Sequence, residues 1–286
     1  MNIRLLVYSA FSASSVGGNP AGIFWQDADL NSGQMQDIAR LAGYSETVFI
    51  HPSQKANYRF RYFTPDMEVP ACGHATLAAL TWLKDSGALK SSKGSVETPG
   101  GLLPFMMDSN TGFLFIRQPA PVYGPVLDPE PIAGSLGISS DSLAPGLPVQ
   151  CMSTGLWDIM VPVKDETILM KLKPDMAKIQ KISHESSATG YHVFSPANHQ
   201  YAAYCRNFAP AAGIPEESAT GTASGALAAY LIKHGSINSS HMIFRQGDAL
   251  NRPSEIHVRI ENHNRPYLHI WVGGQAISLG KKSLTI

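Results

Sequence analysis

Five ionisable side chains stand in or just ahead of two short glycine-containing loops, and their types limit the chemistry this chain could perform. The first loop is Cys72-Gly73-His74-Ala75-Thr76, with Glu46 upstream of it; the second is Ala219-Thr220-Gly221-Thr222, preceded by Glu216 and Glu217. Each loop opens a helical pattern. Its first N–H groups therefore lack intrahelical partners and lie at the positive end of the helix dipole, where carboxylates and phosphates bind well. Thr76, Thr220 and Thr222 could instead be plain helix caps. Two such starts, each after a proline-bounded loop, favour the anion site. Glu46 begins a predicted strand on the face of Val48 and Ile50. If that face is buried, desolvation raises the carboxyl pKa and makes it an acid or base near neutrality; otherwise it is an ordinary solvated glutamate. The helix dipole is expected to disfavour the charged form of His74, leaving a neutral imidazole that shuttles protons or donates to a substrate oxygen. A capping or core histidine is the plain alternative. Cys72 at a helix start is open to a lowered thiol pKa, although a buried inert thiol is the commoner outcome. Glu217 either orients a ligand amine or hydroxyl or is surface charge.

The elements that position these residues recur. Arg61, Phe63, Pro65 and Pro70 each have a like residue 145 positions on, at Arg206, Phe208, Pro210 and Pro215. The same offset aligns Tyr44-Ser45-Glu46-Thr47-Val48-Phe49 with Thr189-Gly190-Tyr191-His192-Val193-Phe194, which puts Tyr191 opposite Glu46. The two loops align after a gap of about three residues. A repeat of this length signals a duplicated unit. Within it, Asn31 or Ser32 caps a helix to Ala42, with Met35, Ile38, Ala39 and Ala42 on one stripe and Gly43 after it. Strands are predicted at 45–50, 58–63, 256–260 and 268–272, and helices at 73–85 and 222–234. The proline-rich segment 119–131 reads as a linker. The predicted fold is α+β: two pseudo-symmetric lobes, each a mixed β-sheet wrapped around a central α-helix, with a ligand cleft between them. The N-terminal lobe spans 1–122, with 277–286 possibly added to it, and the C-terminal lobe 123–276.

Composition excludes several classes. The 286 residues are 44% apolar and 15% charged, enough for a large core, and 22 basic residues balance 22 acidic ones. A nucleic-acid binder carries a basic excess or stripe, and none is visible. The ten histidines show no familiar metal-ligand spacing, so no metal is expected. Three cysteines form no disulfide framework. The N-terminal apolar stretch is too short for a signal peptide, and Ile3, Leu5 and Val7 alternate as in a strand. No run of 18 apolar residues is present. A cytoplasmic protein with no membrane partner is the expectation.

Five blocks in order carry a resemblance: Gly18-Asn19-Pro20-Ala21-Gly22, Ser45-Glu46-Thr47, Arg61-Tyr62-Phe63-Thr64-Pro65, Pro70-Ala71-Cys72-Gly73-His74-Ala75-Thr76, and Glu216-Glu217-Ser218-Ala219-Thr220-Gly221. Gln246-Gly247 with Arg252-Pro253-Ser254 adds to them. The sequence resembles, nearly end to end, the PhzF family: phenazine-biosynthesis-like isomerases on the diaminopimelate epimerase fold. The resemblance implies a homodimer without metal or cofactor that moves a carbon-bound proton on a small carboxylated substrate. It implies Glu46 as acid/base, with His74 and Glu217 binding and polarising the substrate. Gly73, Gly221 and Thr222 would hold its carboxylate through backbone N–H groups, with Asn19, Cys72 and Thr220 beside them. Departures from the family are Glu217 where aspartate is usual, Ser218 where proline or alanine is usual, and Leu250-Asn251 where glycine is expected. No cysteine stands beside Thr220-Gly221, which disfavours a two-thiol racemase. Two other functions stay open: an epimerase with Cys72 opposing Glu217, and a non-catalytic binding protein on the same fold. A thiol hydrolase on Cys72 and His74 is poorly placed, since two residues at a helix start diverge by about 200°.

Overall fold

Short runs of alternating apolar residues, broken by glycine and proline turns, fold into strands along most of the chain. The computed structural model describes residues 2–25, 30–197, 200–235, 237, 239–261 and 268–285. The chain divides into two compact units, Met1–Arg117 with Gly273–Ile286, and Gln118–Val272.

The first unit contains β1 (Asn2–Ala10), β2 (Asn19–Phe24), α1 (Ser32–Ala42), β3 (Thr47–His51), β4 (Tyr58–Phe63), β5 (Glu68–Val69), α2 (Gly73–Asp85), β6 (Lys93–Thr98), β7 (Gly101–Met107) and β8 (Leu114–Arg117). Strand β1 pairs antiparallel with β2, β2 runs parallel to β3, and β3 pairs antiparallel with β4. Strand β4 pairs antiparallel with the short β5 and parallel with β6, which continues antiparallel to β7 and then β8. Helix α1 is closed by a capping box between Asn31 and Gln34, and Gly43 ends it at φ 70°. Such a cap contributes about 1 kcal/mol. Met35, Ile38, Ala39 and Ala42 are its buried residues, the stripe that the spacing predicts. They pack with Ile3, Leu5, Phe49 and Phe63 on one face of the sheet. Helix α2, buried along most of its length, covers the other face, where the Tyr62 hydroxyl lies 2.6 Å from Thr76 Oγ1.

The second unit contains β9 (Val122–Val126), α3 (Pro129–Ser135), β10 (Gln150–Ser153), β11 (Trp157–Pro162), α4 (Glu166–Met170), α5 (Met176–Glu185), β12 (Gly190–Pro196), β13 (Ala203–Ala209), β14 (Ile214–Glu217), α6 (Gly221–Lys233), β15 (His241–Gln246), β16 (Ser254–Glu261) and β17 (His269–Gly274); β18 (Ala276–Thr285) returns to pair with β1. The pairing repeats that of the first unit. Strand β10 is antiparallel to β11, β11 parallel to β12, and β12 antiparallel to β13. Strand β13 pairs antiparallel with β14 and parallel with β15, which turns back into β16. Segment 119–131 is not a linker here, because Val122–Val126 forms ladder hydrogen bonds with β10 and Pro129 opens α3.

Register refines the repeat. Tyr62 pairs with Val69, and Asn207 pairs with Glu217. The offset is therefore 145 on β4 and β13 but 148 from β5 and β14 onward, so Val69 corresponds to Glu217 rather than to Ile214. The three extra residues lie in the one-turn helix Pro210–Ala212. In each unit an arginine clamps this connection with two hydrogen bonds to a glutamate, Arg61 to Glu68 and Arg206 to Glu216. Each guanidinium also lies over a phenylalanine two residues on. No helix among the described residues is long and apolar enough to cross a membrane.

Candidate active site

In the first unit, the sheet and α2 bring together Asn19, Ser45 and Glu46 of the first two resemblance blocks and Cys72 and His74 of the first loop. The Glu46 carboxylate, one residue before β3, lies with Oε2 3.1 Å from His74 Nε2 at the start of α2. Oε2 makes no well-directed hydrogen bond, so the contact is chiefly electrostatic. His74 is enclosed: Ser45 Oγ lies 3.4 Å from Nε2, Asn19 Nδ2 3.4 Å from Nδ1, and Cys72 Sγ 3.5 Å from Nδ1. Asn19 is the first residue of β2, and the parallel β2–β3 ladder runs on from it, with Gly22 paired to Thr47. Gly73 has open space where a side chain would stand.

The electrostatics correct two expectations. Burial raises the Glu46 pKa as predicted, but the charge and hydrogen-bonding potential of His74 outweigh it and leave the carboxyl below its ordinary range. Burial likewise opposes a charged His74, yet Cys72 and Glu46 hold its proton well above the usual histidine range. Both shifts favour a carboxylate beside an imidazolium over an acid beside a neutral imidazole. Burial, then the Glu46 charge, pushes the Cys72 thiol up. Its helix-start position does not activate it. Glu46, Cys72 and His74 are metal-ligand types within 4.8 Å of one another. Sulfur faces Nδ1 and the carboxylate faces Nε2, so an ion bound at one ring nitrogen would stand away from the other ligand.

In the second unit, Thr220 Oγ1 donates to Glu217 Oε2 at 2.6 Å instead of capping α6. The buried Gln246 side chain holds this corner: its Nε2 donates to the Glu217 carbonyl (2.8 Å) and to Thr220 Oγ1 (3.1 Å), and its Oε1 accepts from Thr220 N (3.2 Å). Gly221 and Thr222 are the first residues of α6. Helices α1, α3, α4 and α5 each have a side-chain cap, whereas α2 and α6 have none. The cap reading of Thr76 also fails, since its hydroxyl donates to the Cys72 carbonyl at 2.7 Å. Asn251, at a position where glycine is expected, takes the left-handed φ of 54° that asparagine tolerates. Sequence reasoning missed Asp158, His192 and Asn207, which lie on the sheet face toward α6. A charged residue inside the apolar run Trp157–Pro162 was the signal for the first.

Two copies of one α+β unit, each with an uncapped helix start beside an acidic side chain, place the chain in the duplicated fold shared by PhzF proteins and epimerases. A sequence profile described as phenazine biosynthesis-like protein matches residues 8–281. An uncharacterized isomerase, YfhB of Bacillus subtilis, is 34% identical over 90% of both chains. The trans-2,3-dihydro-3-hydroxyanthranilate isomerase of Pseudomonas aeruginosa is 27% identical over 97% of this chain and 98% of its own. A Bacillus anthracis phenazine biosynthesis protein of the PhzF family superposes with a TM-score of 0.91 at 29% identity, over the whole of both chains. The chain belongs to the phenazine biosynthesis-like (PhzF) family, whose relatives are named isomerases.

Proposed function

We propose that this protein is a cofactor-independent isomerase that moves a carbon-bound proton on a small carboxylated substrate, with Glu46 as the acid/base. The observation that carries this reading is the Glu46 carboxyl group held 3.1 Å from His74 Nε2 at the uncapped start of α2. An ionised carboxylate is a base in its resting state. It takes the proton from carbon as the electron pair moves into the conjugated system, then returns it at another carbon. The adjacent imidazolium stabilises charge developing on a substrate oxygen. The uncapped start of α2 offers backbone N–H groups at Gly73 suited to the substrate carboxylate, and the uncapped start of α6 offers the same chemistry at Gly221–Thr222 in its own unit. Glu217, ordered by Thr220 and Gln246, is the acid beside the second helix start and is suited to polarising a ligand there. The name of the Pseudomonas relative makes a cyclic amino-carboxylate the first substrate to try.

The test is deuterium exchange in D₂O, followed at carbon by NMR over a panel of small carboxylates that includes dihydro-hydroxyanthranilate. The parent protein is expected to exchange, and Glu46→Gln to lose about 100-fold or more. Undiminished exchange in the variant removes Glu46 as the base. A candidate that raises the melting temperature without exchanging supports a binding protein instead. The raised Cys72 thiol argues against the Cys72-dependent epimerase.

A further inference from the structure

Two histidines of the second unit meet on a surface that the proposed mechanism does not use. His241 opens β15, and His257 lies in β16, its antiparallel partner. They stand 16 residues apart, a separation that matches no familiar ligand spacing, so only the strand register brings them together. In that ladder His241 pairs with Arg259 and Ile243 with His257; the two histidines are diagonal neighbours, close enough for ring side chains to touch. The alternate residues Met242, Phe244, Ile256 and Val258 are buried, which puts both histidines on the outer face. His241 Nε2 lies 3.2 Å from His257 Nδ1, and the rings are within 22° of parallel. Ser239 fixes the approach to β15: its hydroxyl donates to the His241 carbonyl at 2.7 Å and accepts from the His241 N–H at 3.2 Å.

The duplicated scaffold does not require this pair. Tyr58 pairs with Val96 and Ala203 with Phe244, so Lys93 is the counterpart of His241. Ser95 pairs with Pro104 as Ile243 does with His257, which makes Pro104 the counterpart of the second histidine. As a bare contact the pair is one N–H···N hydrogen bond near the surface, a small contribution to stability. Its spacing also suits a shared metal ion. Two imidazole nitrogens, each about 2.0–2.1 Å from one ion, stand about 2.9 Å apart at a right angle and about 3.3 Å apart at the tetrahedral angle. The observed 3.2 Å falls between these limits. Moving the shared proton to the outer nitrogen of its own ring frees both facing lone pairs without changing the net charge. Burial first, then the charges of His241 and Arg259, pushes His257 down to about 4, so it has no proton to lose near neutrality. Glu255, two residues before His257 on the same face, is engaged by the Tyr201 hydroxyl at 2.6 Å and lies 3.5 Å from Arg245 Nη1. Among the described residues no third histidine, cysteine or carboxylate joins the pair. Arg259 opposes a cation, but at the surface that repulsion is screened by water and salt.

We propose that His241 Nε2 and His257 Nδ1 form a cross-strand site for a divalent transition-metal ion, with solvent completing its coordination and the ion clipping β15 to β16. Imidazole ligands select Cu²⁺, Ni²⁺ and Zn²⁺ over the oxygen-preferring Mg²⁺ and Ca²⁺, and Cu²⁺ heads the affinity order. The site stands apart from Glu46 and His74 and does not depend on the isomerase reading.

Titration of the full chain with Cu²⁺ alone tests this, followed by calorimetry and by electron paramagnetic resonance. The parent is expected to hold one ion whose spectrum carries the hyperfine pattern of two nitrogens, with Zn²⁺ bound more weakly. His241→Gln and His257→Gln should each weaken Cu²⁺ binding about 10-fold or more, the least that losing even a ligand's supporting partner costs. The double variant should lose that same single ion and no second one. Without metal, the variants should melt as the parent does, and Zn²⁺ should raise the melting temperature of the parent but not of the double variant. Unchanged Cu²⁺ affinity in either single variant overturns the proposal. So does a double variant that loses two ions, because each histidine then binds an ion of its own, and so does Cu²⁺ held equally tightly by the double variant.

Discussion

A carboxylate buried without a partner holds its proton, but Glu46 has an imidazole 3.1 Å away, and the pair is more stable with the proton on nitrogen. The two halves of the pair respond to pH in opposite senses. The Glu46 pKa is lowered from 4.5, so its contribution to stability is present above that value and lost as pH falls through the lowered one. The His74 pKa is raised from 6.5, so its contribution is complete below that value and lost as pH rises through the raised one. His74→Asn should therefore remove the alkaline slope of His74 and leave the buried Glu46 carboxyl holding its proton, so that the melting temperature falls as pH rises above the ordinary glutamate value, by differential scanning calorimetry. Identical pH profiles for parent and variant would show that the pair is not ionised.

At the scale of elements, the site depends on how short strands feed helix starts. The arginine clamps Arg61–Glu68 and Arg206–Glu216 fix the turns into β5 and β14, and each turn delivers the chain to an uncapped helix. The ladders tolerate little change beside these turns. Gly190 sits between β11 and β13, and a Cβ there meets the Phe208 carbonyl and the Ala209 Cα. Gly190→Ala is expected to destabilise the protein by about 3 kcal/mol in urea titration, since neither contact belongs to a side chain that can turn away. A loss below about 1 kcal/mol would mean that the ladder shifts to admit a methyl group.

For the whole molecule, the buried acid of the second unit sets a global trend with pH. The Asp158 pKa is raised from 3.8 to about 7, so its contribution to stability is intact below the unfolded value, declines as pH rises, and is gone above about 7. The shift corresponds to roughly 4 kcal/mol as an upper figure. Asp158→Asn lacks this decline. Its melting temperature should gain on that of the parent steadily as pH is raised from about 4 to about 8. A constant difference across that range would show that Asp158 is ionised throughout.

The sequence by itself determined the duplication, the helix at 73–85 to the residue, the stripe and caps of α1, and the identity of Glu46, His74 and Glu217 as candidates. These follow from local spacing and from recurrence along the chain. Tertiary structure decided the rest. The offset is 144 on β3 and β12, 145 on β4 and β13 and 148 beyond them, because ladder register, not residue identity, defines equivalence, and that moved the counterpart of Glu46 from Tyr191 to Gly190. The charge states of Glu46 and His74 reversed because burial and a charged neighbour act in opposite directions, and only their distance settles which prevails. Asp158 emerged for the same reason: a charge inside an apolar run marks its position along the chain, but a parallel strand, the Asn207 amide and the Glu217 charge, all remote in sequence, make its environment.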